Sequence, residues 1–295
     1  MKNVSINTIV AALALETDSD PVVGRVLQLA HQHEARLIFV HAVEGAIPGD
    51  GLPVSFDAAA LRAIVERDAA DQIKQLTGNS GSKVTADIVV RAGKPYRLID
   101  EVAQHESADL IVIGPGNAKN IREKIFGSTA DRVVRTVSRP VLVVRSSVPA
   151  PYRRIAVAAD FSTASQAAAK AGIRLAPDAA FEFVHAIKIP LGFEQAMLRA
   201  GTSQAEIDRY RRARAGEARH QIGAFLTQAD LPLARMKLRI VQGDAGQALV
   251  RLTRSGRTDL IALGTHGGNA LSQALLGSVA RHVLRAAGCD VLVSA

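Results

Sequence analysis

Asp259-Leu260-Ile261-Ala262-Leu263-Gly264-Thr265-His266-Gly267, followed after nine residues by Gly277-Ser278, is the stretch from which both the fold and a candidate site can be read. Leu260–Leu263 has no alternation of apolar and polar residues, the mark of a strand buried on both faces of a parallel sheet. Gly264 and Gly267 permit backbone conformations and close approaches that a Cβ blocks. Gly277-Ser278 stands where a helix from Val279 to Ala287 is predicted to begin. At such a start, unpaired N–H groups and the helix dipole favour an anion. A hydrogen bond to a charged group contributes roughly 1.5–3 kcal/mol. Several amides converging on phosphates therefore support micromolar binding without a lysine, and the Ser278 hydroxyl adds a further donor.

The signature occurs twice. Asp109-Leu110-Ile111-Val112-Ile113-Gly114, Gly127-Ser128-Thr129-Ala130 and Val141-Leu142-Val143 return 150 residues later as Asp259–Gly264, Gly277-Ser278-Val279-Ala280 and Val291-Leu292-Val293. Phe39-Val40-His41-Ala42 returns 144 residues later as Phe183-Val184-His185-Ala186. A drifting offset marks loop insertions, not a solenoid period. Two copies of one domain are predicted, over residues 1–147 and 152–295. They are joined through Ser146-Ser147-Val148-Pro149-Ala150-Pro151, where prolines bar helix and sheet continuation. The length of 295 residues agrees with two domains of about 150 residues each.

In the second half, strands are predicted near residues 154–160, 180–187, 235–242, 259–264 and 290–294, with helical stretches between them. Ser203-Gln204-Ala205-Glu206 has capping-box spacing ahead of a helix carrying Ile207, Tyr210, Ile222 and Phe225. Asp20-Pro21 suits a helix start in the first half. The fold class is α/β, with two tandem doubly wound domains. Each is a five-stranded parallel sheet of order 3-2-1-4-5 with helices on both faces. In that order strands one and four are neighbours where the order reverses, and ligands of open sheets bind beyond the C-terminal strand ends there. Asp160, which ends the first strand of this half, then faces the Gly264 loop. A carboxylate there binds ribose hydroxyls or helps hold Mg²⁺.

These residues resemble the universal stress protein family. Gly264, Gly267, Gly277 and Ser278 match its pattern of Gly, two residues, Gly, nine residues, Gly, then Ser or Thr, and Asp160 matches the acidic residue after strand one. The resemblance covers both halves and implies a tandem member of the ATP-binding branch, in which the nucleotide lies on this loop with its base at the ends of strands one and two. Carried over by position, it implicates Ala158, Asp160, Ala186, Leu263, Gly264, Gly267, Gly277, Ser278 and Val279, with Thr265 and His266 inside the same loop. It also implies Mg²⁺ held through Asp160, pairing of last strands between the two halves as an internal pseudo-dimer, and further homodimerisation. The first half departs from the pattern. Asn117 replaces the second glycine, and aligning Ile9 with Ile155 puts Ala14 where Asp160 stands. That half is expected to bind nucleotide weakly or not at all.

Other chemistry is disfavoured. Hydrophobic residues make up 48% and charged residues 22%, an ordinary globular balance. No apolar run reaches the ~18 residues of a membrane span. Ile9–Leu15 resembles a short signal core but is better read as a first strand, because Ile155–Ala159 is a similar mid-chain segment; a cytoplasmic protein is expected. The single cysteine, Cys289, excludes an internal disulfide and a four-thiolate zinc site and reads as a small buried residue. No Walker loop, Gly-x-Ser-x-Gly elbow or His-Glu-x-x-His is present. His41 and His185 read as packing residues at strand ends, His31 and His33 lack partner ligands, and His266 reads as an exposed turn residue. The net charge is +8, and Arg209-Tyr210-Arg211-Arg212-Ala213-Arg214 is interleaved with acids, so a solvated helix face is expected rather than nucleic-acid binding. The resulting expectation is a stress-response protein that binds ATP in its C-terminal domain and acts through occupancy or assembly. The rivals are a slow ATPase or nucleotidyl-transfer enzyme, and a nucleotide-independent interaction module.

Overall fold

The structure, a computed structural model, describes residues 5–15, 21–44, 58–78, 84–116, 126–146, 150–189, 191–228, 236–266 and 276–295. The chain divides into two compact units, Met1–Pro151 and Tyr152–Ala295. In the first, strands β1 (Thr8–Ala12), β2 (Arg36–Val43), β3 (Ala86–Ala92), β4 (Leu110–Ile113) and β5 (Val141–Val143) alternate with helices α1 (Pro21–His33), α2 (Ala58–Gly78), α3 (Pro95–His105) and α4 (Ser128–Thr136). All strand pairings are parallel, in the order β3-β2-β1-β4-β5.

The second unit repeats the plan. Its strands are β6 (Arg154–Ala158), β7 (Ala180–Ile187), β8 (Met236–Gln242), β9 (Leu260–Gly264) and β10 (Asp290–Ser294). They form a parallel sheet in the order β8-β7-β6-β9-β10. Helices α5 (Thr163–Leu175), α6 (Leu191–Arg199), α7 (Gln204–Gln228), α8 (Ala245–Arg254) and α9 (Ser278–Ala286) connect them. This is the doubly wound parallel arrangement that the apolar runs predict. Every residue from Leu260 to Leu263 is buried, because helices cover both faces of the sheet. Among the described residues no helix is long and apolar enough to cross a membrane.

Local chemistry sets the helix starts. Ser203 and Glu206 form the reciprocal box: Ser203 N–H donates to Glu206 Oε2 at 2.8 Å and Glu206 N–H to Ser203 Oγ at 3.3 Å. Pro21 opens α1, whereas Asp20 lies outside the described residues. The repeated aspartates before β4 and β9 close the opposite end of each sheet from the candidate crevice. Asp109 Oδ2 accepts from Asn7 N–H at 2.8 Å, and Asp259 Oδ2 from Arg153 N–H at 2.8 Å. Their recurrence therefore reflects strand anchoring. Cys289 is buried.

Candidate functional site

The site is built where β6 and β9 end side by side, at the reversal of strand order. Pairing of Ile9 with Leu37 and of Ile155 with Phe181 places the first strands of the two units in the same register. Beyond each strand the chain repeats the same turn. Leu13 N–H donates to Val40 O and Ala159 N–H to Val184 O, both at 3.0 Å. His41 Nδ1 lies 2.8 Å from Leu13 O and His185 Nδ1 2.8 Å from Ala159 O. A carbonyl only accepts, so Nδ1 carries the proton in both rings. Leu15 and Phe161, two residues further on, both have positive φ, 56° and 64°. Ala14 therefore occupies the position of Asp160.

In the second unit one cavity of about 200 Å³ is lined by Ala158 and Asp160 from the end of β6, Ala186 from β7, Leu263, Gly264, Thr265 and His266 from the end of β9, and Gly277, Ser278 and Val279 from the start of α9. Sequence reasoning had implicated each of these. Gly267 lies outside the described residues. A groove of about 310 Å³ beside α7 shares His185 and Ala186 with this cavity. Together they reach the size range of small-ligand sites.

Each predicted residue has a distinct local reason. Gly264 allows helix and strand to touch: a Cβ there would lie 2.8 Å from Ala164 Cβ and 2.9 Å from the Ala164 carbonyl carbon. Thr265 N–H donates to Ser294 O at 2.9 Å, and Gly277 N–H donates to Thr265 O at 2.8 Å. The two ends of the loop are thus pinned to each other and to β10. Gly277 caps α9 without a side-chain bond, and the first intrahelical bond runs from Arg281 N–H to Gly277 O at 2.9 Å. The amides of Ser278, Val279 and Ala280 precede that bond, as the first turn of any helix requires. Arg281 stands in the same turn and reaches Leu276 O at 3.1 Å.

His266 departs from the exposed turn residue that the sequence led us to expect. Its Nδ1 lies 2.8 Å from Thr265 Oγ1, and its Nε2 is buried with no hydrogen-bond partner among the described residues. The residue itself lines the cavity. Asp160 is exposed. Its Oδ1 accepts from Ser162 N–H at 3.0 Å and from the Ser162 hydroxyl at 2.5 Å. Ser162 in turn caps α5, accepting from Ser165 N–H at 3.2 Å. Asp160 thus braces the cap of α5. Among the described residues no group of three or more His, Cys, Asp or Glu could hold a metal ion. One carboxylate fits the way Mg²⁺ binds, through one or two carboxylates together with substrate phosphates.

Sequence reasoning missed the aromatic wedge behind this site. Phe161 stacks on His185, with centroids 4.6 Å apart, and meets Phe225 edge-on at 5.8 Å. The signal was present in Phe161 directly after Asp160, but its positive φ could not be read from composition.

The universal stress protein family model matches residues 5–145 and 151–294. A universal stress protein of Methanothermobacter thermautotrophicus is 28% identical over 130 residues, covering 43% of this chain and 88% of the relative. One from Thermus aquaticus is 34% identical over 116 residues, covering 39% of this chain and 82% of the relative. The crystal structure of a universal stress protein from Archaeoglobus fulgidus matches with a TM-score of 0.63 at 18% identity, covering 98% of both chains.

Proposed function

We propose that this chain, which belongs to the universal stress protein family, binds ATP in its C-terminal unit and acts in the cytoplasm through occupancy or assembly rather than rapid turnover. The observation that carries this reading is the convergence of the first residues of α9 with Asp160, Gly264 and His266 on one cavity at the switch point of the sheet. The amides and the helix dipole favour the polyphosphate. The base and ribose would lie toward Ala158, Ala186 and Asp160, with the adjoining groove beside α7 giving room. Mg²⁺ would be held by Asp160 and the phosphates, where it supplies charge neutralisation.

Isothermal titration with ATP tests the reading. The expected result is one site per chain with micromolar affinity, weakened about tenfold or more in His266→Leu and retained in Ala14→Ser. Heat absent at millimolar ATP, or affinity unchanged in His266→Leu, would defeat it.

A further inference from the structure

At the end of the second sheet opposite the crevice, a hollow of about 230 Å³ opens where β6, β7 and β8 begin. Arg154 from β6, Ala180 and Glu182 from β7, Lys237 from β8, and Arg257 and Thr258 from the turn after α8 line it. The register places Ala156, Glu182 and Lys237 in one row across three strands, with Arg154 beside Ala180. Arg257 owes its place to the way α8 ends. Gly256 has a φ of 63°, its N–H donates to Thr253 O, and Arg257 N–H donates to Leu252 O, both at 3.3 Å. This is a Schellman closure, and it fixes the backbone of Arg257 as the chain leaves the helix.

The first unit builds the same corner differently. Its register makes Thr8, Arg36 and Asp87 the counterparts of Arg154, Ala180 and Lys237. Its helix α3 is capped by Glu106, where α8 is capped by Ser255. Arg36 closes on Asp87 at 2.7 Å and on Glu106 at 2.6 Å, so that corner neutralises itself. In the second unit neither acid is kept, a lysine stands in place of one, and the arginine between them has become Ala180. The turn after α8 is also longer. Between the positive-φ residue and the anchoring aspartate stands Ala108 in the first unit, but both Arg257 and Thr258 in the second.

Charge at the second corner is left unbalanced. Glu182 is engaged by Arg239 at 2.8 Å, and Asp259 by Arg154 at 3.2 Å. Lys237 and Arg257 are exposed, and among the described residues neither side chain has an acidic partner. Two cations therefore face one hollow with no internal anion to answer them. A phosphate monoester carries a charge of about −1.5 to −2 at neutral pH. The arginine fork matches its oxygens, and lysine adds a point charge. We infer that this hollow binds a small organic phosphate, at a site separate from the nucleotide crevice, with the phosphoryl group taken by Lys237 and Arg257. The volume lies below the roughly 300 Å³ at which pockets for drug-sized ligands begin, which leaves room for a body of a few carbons. Ala156, Ala180 and Phe181 also line the hollow and give that body an apolar wall.

Glycerol 3-phosphate, titrated into the ¹⁵N-labelled full chain at low salt, tests this, beside glycerate as a singly charged probe of similar size and inorganic phosphate as the bare head group. The Arg257 side-chain Nε–H and the amides of Arg257 and Thr258 should shift saturably with glycerol 3-phosphate, about tenfold more tightly than with glycerate. Inorganic phosphate should bind there more weakly, for want of the carbon body. Lys237→Gln and Arg257→Ser, both at exposed positions, should each weaken the organic phosphate about tenfold, the worth of one charge-assisted hydrogen bond, and leave the remaining amide spectrum unchanged. Raising the salt should weaken it further. No saturable shift at tens of millimolar, glycerate or inorganic phosphate bound as tightly as glycerol 3-phosphate, or affinity unmoved in both variants would overturn the inference. The amides of α9 report separately on the nucleotide crevice, so failure of one reading leaves the other standing.

Discussion

Gly264 and Gly114 hold the same place in the repeat, at the end of the fourth strand of each unit, yet the same substitution should have opposite effects. In Gly264→Ala the new methyl would sit 2.8 Å from Ala164 Cβ, 2.9 Å from the Ala164 carbonyl carbon and 3.1 Å from Ser165 N. Carbon atoms rest at about 3.5–4.0 Å, so relief of roughly 0.7–1.2 Å is needed. The obstacle is the backbone of the first turn of α5, which no rotamer change can move. Overpacking of this kind costs about 1–3 kcal/mol. In Gly114→Ala the nearest atom is Val22 Cγ2 at 3.7 Å, an ordinary contact. Removing backbone freedom from the unfolded chain should leave that variant neutral or more stable by about 0.4–1 kcal/mol. Native-state hydrogen exchange read by mass spectrometry resolves each unit separately. Protection in β9 and α5 should fall in Gly264→Ala, and protection in β4 and α1 should hold or rise in Gly114→Ala. Displacing α5 also moves Ser162, which Asp160 braces, so ATP affinity should drop with the former and not the latter. Equal losses in the two variants, or a stable Gly264→Ala, would refute the close-approach argument.

Two further outcomes follow from buried and capping contacts. Tyr152→Phe removes the hydroxyl that donates to Asp290 Oδ2 at 2.6 Å, with Tyr152 5% and Asp290 0% exposed. Loss of this buried partner should destabilise the second unit by about 1–3 kcal/mol, measured as a lower urea midpoint with unchanged slope. Glu206 is held below the ordinary glutamate range by the Ser203 amide, then by the Ser203 hydroxyl. A lowered folded value means that the cap's contribution is fully present above the unfolded value and is lost as pH falls through the folded one. A carbon-detected titration of Glu206 should show this depressed midpoint, and Ser203→Ala, which keeps the amide and removes the hydroxyl, should raise it part of the way; an unmoved midpoint would remove the hydroxyl as a cause.

Much of the architecture was legible because parallel strands buried on both faces leave unbroken apolar runs. Leu260–Leu263, Phe181–Ile187 and Val291–Val293 could be placed almost to the residue, and the 150-residue repeat tied the halves together. The site was legible to the extent that glycine spacing reports backbone geometry. What could not be read was tertiary in origin. His266 looks like a loop residue, and only folding buries its Nε2. The methyl-sized gap at Gly264 depends on how closely α5 packs, which spacing does not encode. The stacking of Phe161 on His185 likewise depends on a positive φ that composition does not encode. Gly267 and Asn117, on which the sequence comparison of the two loops partly rested, lie outside the described residues.

The central claim is that backbone amides at the start of α9 receive the polyphosphate, and amide chemical shifts of the ¹⁵N-labelled full chain report on those groups themselves. Titration with ATP is predicted to shift the Ser278, Val279 and Ala280 resonances saturably, together with the His266 ring, while Ser128, Thr129 and Ala130 stay in place. Unmoved α9 amides at saturating ATP, or equal movement of both sets, would contradict it.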